Sequence, residues 1–256
     1  MCGFEYDADW ITTGYSISPF HIPLKSGLQM AKRDPFRGGF GVFDDSLPDS
    51  WGNLILDRYL TQQNINSHKL TLLQHLALIG STGRGALEYR PDRSIVANDS
   101  SLDFDRLAVE AEMILSDKGE NILVDDLYRY GGSSGGARPK VFTTINNRHW
   151  LVKFRAILDP QNIGEVEYKY SILAKECGIH MSETKLFNGK HFGTERFDRT
   201  DRGKIHTISA GGLLNADYRI PSLDYSLLMK LTLNLTRDMQ QVIQMFRLMV
   251  FNIVIS

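Results

Sequence analysis

Cysteine is scarce in this sequence of 256 residues, in which only Cys2 and Cys177 occur. A disulfide framework is therefore not expected, and a reducing compartment is the simplest interpretation. No apolar run reaches the roughly 18 residues that a membrane helix needs, so no membrane span is predicted. The first residues also lack the basic and apolar regions of a secretory signal. These absences together predict a cytoplasmic protein.

An excess of charge of one sign is also absent, because 29 basic residues face 30 acidic ones. This balance argues against a general nucleic-acid coat or a binder of anionic membranes. The seven histidines have no i, i+4 spacing and no cysteine pair beside them, so a zinc site is not expected. The turn Gly80-Ser81-Thr82-Gly83 lacks the G-x-S-x-G spacing of a nucleophile turn, which argues against a hydrolase triad there. Lys32, Arg33 and Arg37 fit a solvated turn better than a phosphate or DNA contact.

What the sequence does have is an ordinary folded composition, with 42% hydrophobic and 23% charged residues. Residues 1–45 predict short strands and turns, and 69–80 and 103–129 have helical periodicity. Another helix opens near residue 50, where Ser46 or Asp49 is expected to cap it. A glycine-rich turn beginning near Gly80 is expected to lead into a short strand.

The character of the sequence changes at residue 130, and we place a domain boundary there. Gly131-Gly-Ser-Ser-Gly-Gly136 lets main-chain amides approach an anion closely, although a flexible turn explains such a segment equally well. A hairpin turning at Asn146-Asn147 follows, with Lys153 among apolar neighbours on its second strand. This ammonium can reach a nucleotide phosphate, a carboxylate of the next helix, or solvent if the strand is an edge.

An amphipathic helix is predicted near 165–178, and Gly178 is its expected stop. Glu167 is the best candidate to pair with Lys153, Glu165 is the alternative, and a solvated acid at a helix start remains open for either. Two short strands near 184–187 and 192–197 then precede a helical C-terminal part. Glycine loop, hairpin, lysine and acidic helix follow one another in the order of a kinase N-lobe.

Five ordered segments resemble the HipA family of serine/threonine protein kinases. They span nearly the whole chain, and their order makes a chance match very improbable. The segments are Phe43-Asp-Asp-Ser-Leu-Pro-Asp-Ser-Trp-Gly52, Gly80-Ser-Thr-Gly-Arg-Gly-Ala-Leu-Glu-Tyr89, Gly131-Gly-Ser-Ser-Gly-Gly-Ala-Arg-Pro-Lys-Val141, Glu167-Tyr168 with Leu173-Ala-Lys-Glu-Cys-Gly-Ile179, and Thr194-Glu-Arg-Phe-Asp-Arg199.

The resemblance implies an α+β, HipA-like fold related to protein kinases, with a mixed N-terminal α/β region and an incomplete, mostly helical C-lobe. Its expected parts are an N-terminal region at 1–129, an ATP-binding lobe at 130–200 and the start of the C-lobe at 201–256. Autophosphorylation is expected at Ser133 or its neighbour Ser134. Glu195 and Phe197 are expected at the hinge that meets adenine. The residues implied in ATP binding are Gly132, Gly135, Gly136, Ala137, Lys140, Lys153, Glu195 and Phe197.

The family transfers the γ-phosphate of ATP to protein serine with Mg²⁺, and the resemblance implies an aminoacyl-tRNA synthetase as substrate. A HipB-like helix-turn-helix antitoxin is the implied partner, with DNA reached only through it. The catalytic loop and magnesium ligands of the family would follow Ser256. The sequence therefore predicts a truncated chain that binds nucleotide weakly at most and transfers no phosphate. A non-catalytic antitoxin-binding or co-repressor module, one half of a split kinase, and a small-molecule kinase remain alternatives.

Overall fold

The computed structural model describes residues 1–95, 102–116, 124–131, 136–217 and 220–255. The chain forms two compact units, one of residues 1–47 with 206–256 and one of residues 48–205. Helices and antiparallel sheets occur together in the chain, which confirms the expected α+β class.

The centre of the unit 48–205 is an antiparallel sheet of four strands in the order β3-β4-β6-β5. Its strands are β3 (Lys140–Ile145), β4 (Arg148–Lys153), β5 (Thr184–Phe187) and β6 (His191–Glu195). Strands β3 and β4 form the predicted hairpin. Asn146 and Asn147 turn it with φ angles of 50° and 60°, and asparagine tolerates this left-handed conformation well.

Helix α7 (Ile163–Glu176) follows β4 and covers one face of the sheet. It packs on β5 and β6, where the hydroxyls of Ser171 and Thr184 lie 2.9 Å apart in a buried contact. The helix stops where the sequence predicted, because Gly178 takes a φ of 74° just after its end.

The opposite face of the sheet carries the main hydrophobic core. Alternate strand residues such as Val141, Trp150 and Val152 point to this face because successive side chains of a strand alternate. Three helices complete the core: α3 (Ser50–Gln62), α5 (Phe104–Leu115) and α6 (Asp125–Gly131). The predicted boundary between residues 129 and 130 therefore falls inside a single core.

The segment before α5 contains one more helix, α4 (Leu72–Ile79). Thr71 and Gln74 form a reciprocal capping box at its start. The prediction of a strand after the glycine turn is wrong, because residues 86–95 form no strand. The backbone there hydrogen-bonds back to the end of α4, with the amides of Tyr89 and Arg93 donating to Gly80 and Ala77 at 3.1 and 2.8 Å.

The described part of the unit of residues 1–47 and 206–256 contains helices and a two-stranded sheet of β1 (Gly3–Phe4) and β2 (Gln29–Met30). Its first segment also has two short helices that the strand-and-turn prediction did not include, α1 (Ala8–Ile11) and α2 (Gly41–Asp44). The expected helical end is confirmed by α8 (Ala210–Leu214), α9 (Tyr225–Thr236) and α10 (Met239–Ile255). None of the helices in the described ranges is long and apolar enough to cross a membrane.

Candidate functional site

Two lysines lie side by side at one end of the central sheet. Lys140 opens β3 and pairs in register with Lys153, the last residue of β4. Both side chains point to the face that α7 covers, because their neighbours Val141 and Val152 point into the core on the other side. Hydrophobic alternation in the hairpin therefore brings two ammonium groups together.

Lys153 contacts helix α7 through Glu167, whose two carboxylate oxygens each lie 3.3 Å from Nζ. The ammonium also lies 5.3 Å from the centre of the Phe192 ring. The lysine side chain is 32% exposed, so the pair borders solvent. Of the two acids weighed from the sequence, Glu167 is therefore the one in contact with Lys153.

Arg138 adds a second cation to the same carboxylate. Its guanidinium lies 3.3 Å from Glu167 and 2.9 Å from Asp159, and the hydrogen bond that it donates to Asp159 raises the pKa of the arginine. Arg138, Lys153 and Glu167 line a small pocket whose floor includes Phe192. The pocket therefore carries more positive than negative side chains.

Lys140 is almost fully buried, with 5% of its surface exposed. Burial lowers its pKa to about 8, since desolvation penalises the charged form. The charges of Lys153 and Arg84 act in the same direction, whereas the carboxylates of Asp49 and Glu167 oppose it. A further anion nearby would stabilise the charged form of Lys140.

Gly136 is the last residue of the glycine-rich segment, and its φ of 99° suits glycine. A Cβ at this position would lie 2.7 Å from Nζ of Lys140, so the bare backbone leaves room for the ammonium. Its N–H donates to the carboxylate of Asp49. Four predicted residues lie outside the described residues: Gly132, Ser133, Ser134 and Gly135. Ala137 is exposed between Gly136 and the start of β3.

The prediction that the side chain of Ser46 or Asp49 caps α3 is wrong. Asp49 occupies the N-cap position but makes no side-chain capping bond, and one of its carboxylate oxygens accepts from the amide of Gly136 instead. Ser46, the other candidate, donates its hydroxyl to the carbonyl of Val42 at 3.2 Å. The local sequence predicted a capping bond, but Asp49 bonds instead to Gly136, which is distant in the chain.

The two expected hinge residues lie at the end of β6. Glu195 accepts from Nε of Arg148 at 2.8 Å, and this bond lowers the pKa of the carboxyl. The amides of Glu195 and Arg196 donate to Glu183 and His149, both at 2.8 Å. Phe197 comes next and its side chain is 66% exposed. An aromatic ring is thus presented at the strand end, whereas the glutamate side chain is held in an ion pair.

A network that sequence reasoning missed is centred on Asp198. Its carboxylate accepts from Arg196 and Arg199 at 2.7 and 2.9 Å and from the amide of Gly85 at 2.8 Å. The same arginines donate to the carbonyl of Gly83. Burial has the largest single effect and raises the pKa of Asp198, but the hydrogen bonds and charges of Arg196, Gly85 and Arg199 together outweigh it and lower the pKa to about 2.

The network joins the Arg-Phe-Asp-Arg segment to the glycine turn. The sequence signal for this network was the position of Asp198 between two arginines. Buried charges are usually paired, so such a cluster indicates an ion-pair network. The network anchors the turn that carries Arg84. In the ranges that the structure describes, no three His, Cys, Asp or Glu side chains are grouped to hold a metal ion.

Comparison with known proteins gives the family. The model of the HipA N-terminal domain matches residues 1–90, and that of the HipA-like C-terminal domain matches residues 132–256. No curated protein sequence matches significantly.

A solved structure is also similar. It is described as the Shewanella oneidensis MR-1 toxin–antitoxin system HipA, HipB and its operator DNA complex. The TM-score is 0.63 at 18% identity, which supports a common fold, and the match covers 98% of this chain. The chain spans 63% of the length of that relative. With both family models in chain order and this common fold, the chain belongs to the HipA family.

Proposed function

We propose that this chain binds the phosphates of ATP as part of a HipA-like serine/threonine kinase toxin. The ion pair of Lys153 and Glu167 carries the proposal, because it places a lysine ammonium on the sheet beside a second lysine. A strand lysine held by an acid of the following helix is the arrangement that kinases use for nucleotide phosphates. When bound, ATP supplies the γ-phosphoryl group.

The charges around the pair fit a triphosphate. Four positive side chains line the pocket, those of Arg138, Lys153, Arg155 and Lys190, and one negative side chain does, that of Glu167. An anion would stabilise the charged form of buried Lys140 in particular. The backbone of Gly136 lies against the ammonium of Lys140, and its N–H is held by the carboxylate of Asp49. The exposed ring of Phe197 is available to an adenine at the strand end.

Other parts of the proposal come from the family. Ser133, with Ser134 beside it, is the proposed autophosphorylation site, where a phosphate would add roughly two negative charges to the glycine-rich segment. Phosphoryl transfer also requires a base and Mg²⁺, and we assign neither the base nor the magnesium ligands to a residue of this chain. A HipB-like antitoxin is the proposed partner, DNA being reached through it, and an aminoacyl-tRNA synthetase is the proposed substrate of the family enzyme.

The binding proposal is tested by titrating wild-type protein with Mg-ATP and following the melting temperature. A ligand that binds only the folded state raises the melting temperature, and 100 times its dissociation constant stabilises by about 2.7 kcal/mol. Lys153→Ala should abolish most of this rise. The control is Lys175→Ala, which removes an ion pair of the same 3.3 Å length with Glu183 at the other end of α7.

The control variant should respond to ATP as the wild type does. Wild-type protein whose melting temperature does not move at millimolar Mg-ATP would contradict the proposal. An equal rise for Lys153→Ala and Lys175→Ala would show that the nucleotide binds elsewhere. A pull-down that retains a HipB-like protein without any ATP response would favour the non-catalytic binding module instead.

A further inference from the structure

The start of helix α3 is packed against the residues on both sides of segment 132–135. Nε1 of Trp51 donates to the carbonyl of Lys140 at 3.3 Å. Gly131 is so close that a Cβ there would lie 2.8 Å from the same carbonyl and 3.1 Å from Ile55. Gly136 donates its amide to Asp49. One helix end therefore contacts both flanks of the glycine-rich segment.

Asp49 does not behave as other aspartates at helix starts in this chain. Asp103 caps α5 by accepting from two amides at 3.0 and 3.1 Å, and Asp224 caps α9 at 2.7 Å. Asp49 has the same position in α3 but makes no capping bond. One carboxylate oxygen accepts from Gly136, 87 residues away, and the other is buried without a partner among the described residues. The local capping interaction is absent and a distant contact is present instead.

Asp49 also balances the charge of Lys140. The buried ammonium has two carboxylates acting on it, Asp49 from α3 and Glu167 from α7, against the positive charges of Lys153 on β4 and Arg84 on the glycine turn. Removing either carboxylate would favour loss of the lysine proton. Asp49 is therefore linked to an amide and an ammonium that both belong to the proposed phosphate site.

We propose that Asp49 is a positioning residue for nucleotide binding, whose carboxylate fixes the Gly136 amide and keeps Lys140 charged before phosphate arrives. The inference rests on the nucleotide binding proposed above. The carboxylate acts through Gly136 and Lys140 and needs no contact with the nucleotide.

The test compares the ATP dissociation constants of Asp49→Ala and Asp49→Asn with that of wild type between pH 6.5 and 9. Asp49→Ala should weaken binding about tenfold, because a charge-assisted hydrogen bond is lost. Asp49→Asn keeps an oxygen for the Gly136 amide, so its affinity at pH 6.5 should stay within about threefold of wild type. Its affinity should then decline from a lower pH than in wild type, because Lys140 loses its proton earlier.

The matched control is Asp103→Ala, which removes a true helix cap. It should lower the melting temperature by about 2–4 °C and leave ATP affinity and its pH profile unchanged. A merely structural role of Asp49 would give the same pattern as this control. Asp49→Ala that binds ATP as tightly as wild type at every pH would overturn the inference.

A second measurement needs no nucleotide. Amide hydrogen exchange at Gly136, followed by NMR, should be at least about tenfold faster in Asp49→Ala than in wild type, and unchanged in Asp103→Ala. Equal rates in Asp49→Ala and wild type would overturn the inference. Wild-type protein that binds no ATP would overturn the proposed function and the nucleotide part of this inference together. ATP binding that is insensitive to Asp49 would overturn this inference alone.

Discussion

The ammonium nitrogen of Lys153 lies 3.3 Å from both carboxylate oxygens of Glu167, which joins strand β4 to helix α7. The side chains are 32% and 18% exposed, and ion pairs that border water contribute at most about 1 kcal/mol to stability. What the pair supplies is orientation, because it holds a flexible lysine chain beside Lys140. The substitutions that break it should therefore affect ligand binding more than folding.

Glu167→Gln should weaken ATP binding about tenfold while changing the free energy of unfolding by less than about 1 kcal/mol. The amide still fills the space, but it lacks the negative charge that holds the Lys153 ammonium and neutralises Arg138. Calorimetric titration gives the affinity, and urea denaturation gives the stability.

The control for this change is Glu183→Gln, which breaks the 3.3 Å pair with Lys175 at the far end of the same helix. Its ATP affinity should equal that of wild type. If both variants lose affinity to the same extent, general loosening of α7 explains the effect and the orienting role of Glu167 is wrong.

Lys140→Met should stabilise the folded protein at pH 7, because the variant avoids burying an ammonium. The folded pKa is about 8 and the ordinary value is 10.5, so the unfolded state holds more protons between these values. Wild-type stability therefore rises with pH through this window, and the advantage of Lys140→Met is largest below pH 8. The expected advantage at pH 7 is on the order of 2 kcal/mol.

Urea denaturation of both proteins at pH 7 and pH 10 measures this difference. Asp49 and Glu167 partly stabilise the ammonium of Lys140. In an Asp49→Asn background, Lys140→Met should therefore raise the free energy of unfolding by more than it does in wild type. A constant difference between wild type and Lys140→Met at both pH values would show that Lys140 does not titrate in the window.

Gly136→Ala should weaken ATP binding and also lower stability. Alanine at a φ of 99° is strained, and its Cβ would displace the Lys140 ammonium, which lies 2.7 Å away. Gly203→Ala is the matched control, since its φ is 118° and no atom lies within 4 Å of the added Cβ. Both variants should lose about 1 kcal/mol of stability from strain, and only Gly136→Ala should lose affinity, which calorimetric titration measures. If Gly136→Ala binds ATP with the affinity of wild type, Gly136 is not part of the phosphate site.

Local pattern was sufficient for the hairpin and the helix that position the site. Asn146-Asn147 marks the turn, Gly178 marks the end of α7, and the alternation around Lys153 sets its face. Glu167 is 14 residues from Lys153 and lies on α7, a helix that the periodicity of the sequence predicted. Features encoded within one or two adjacent elements could thus be read from the sequence.

Distant contacts could not be read in this way. Asp49 has the residue type and position of a helix cap, and only its contact with Gly136 distinguishes it from one. The expected strand after Gly80 failed because backbone bonds to α4 use the same amides. Asp198 and Gly85 are 113 residues apart, so their bond has no local signature. Each miss is a case in which a tertiary contact replaced the local option.

Asp198→Asn should destabilise the protein by about 3–5 kcal/mol at pH 7, since it leaves Arg196 and Arg199 buried without their counter-charge. The folded pKa of Asp198 is about 2 and the ordinary value is 3.8, so its contribution is fully present above about pH 4 and is lost as pH falls through 2. The difference in the free energy of unfolding between wild type and variant, measured by urea denaturation, should therefore narrow from pH 5 to pH 2.5.

The control is Asp201→Asn, at an exposed position two residues after Arg199, whose free energy of unfolding should stay within about 0.5 kcal/mol of wild type. If Asp198→Asn is as stable as Asp201→Asn, the glycine turn is held by its own backbone, and the Arg-Phe-Asp-Arg segment has another role.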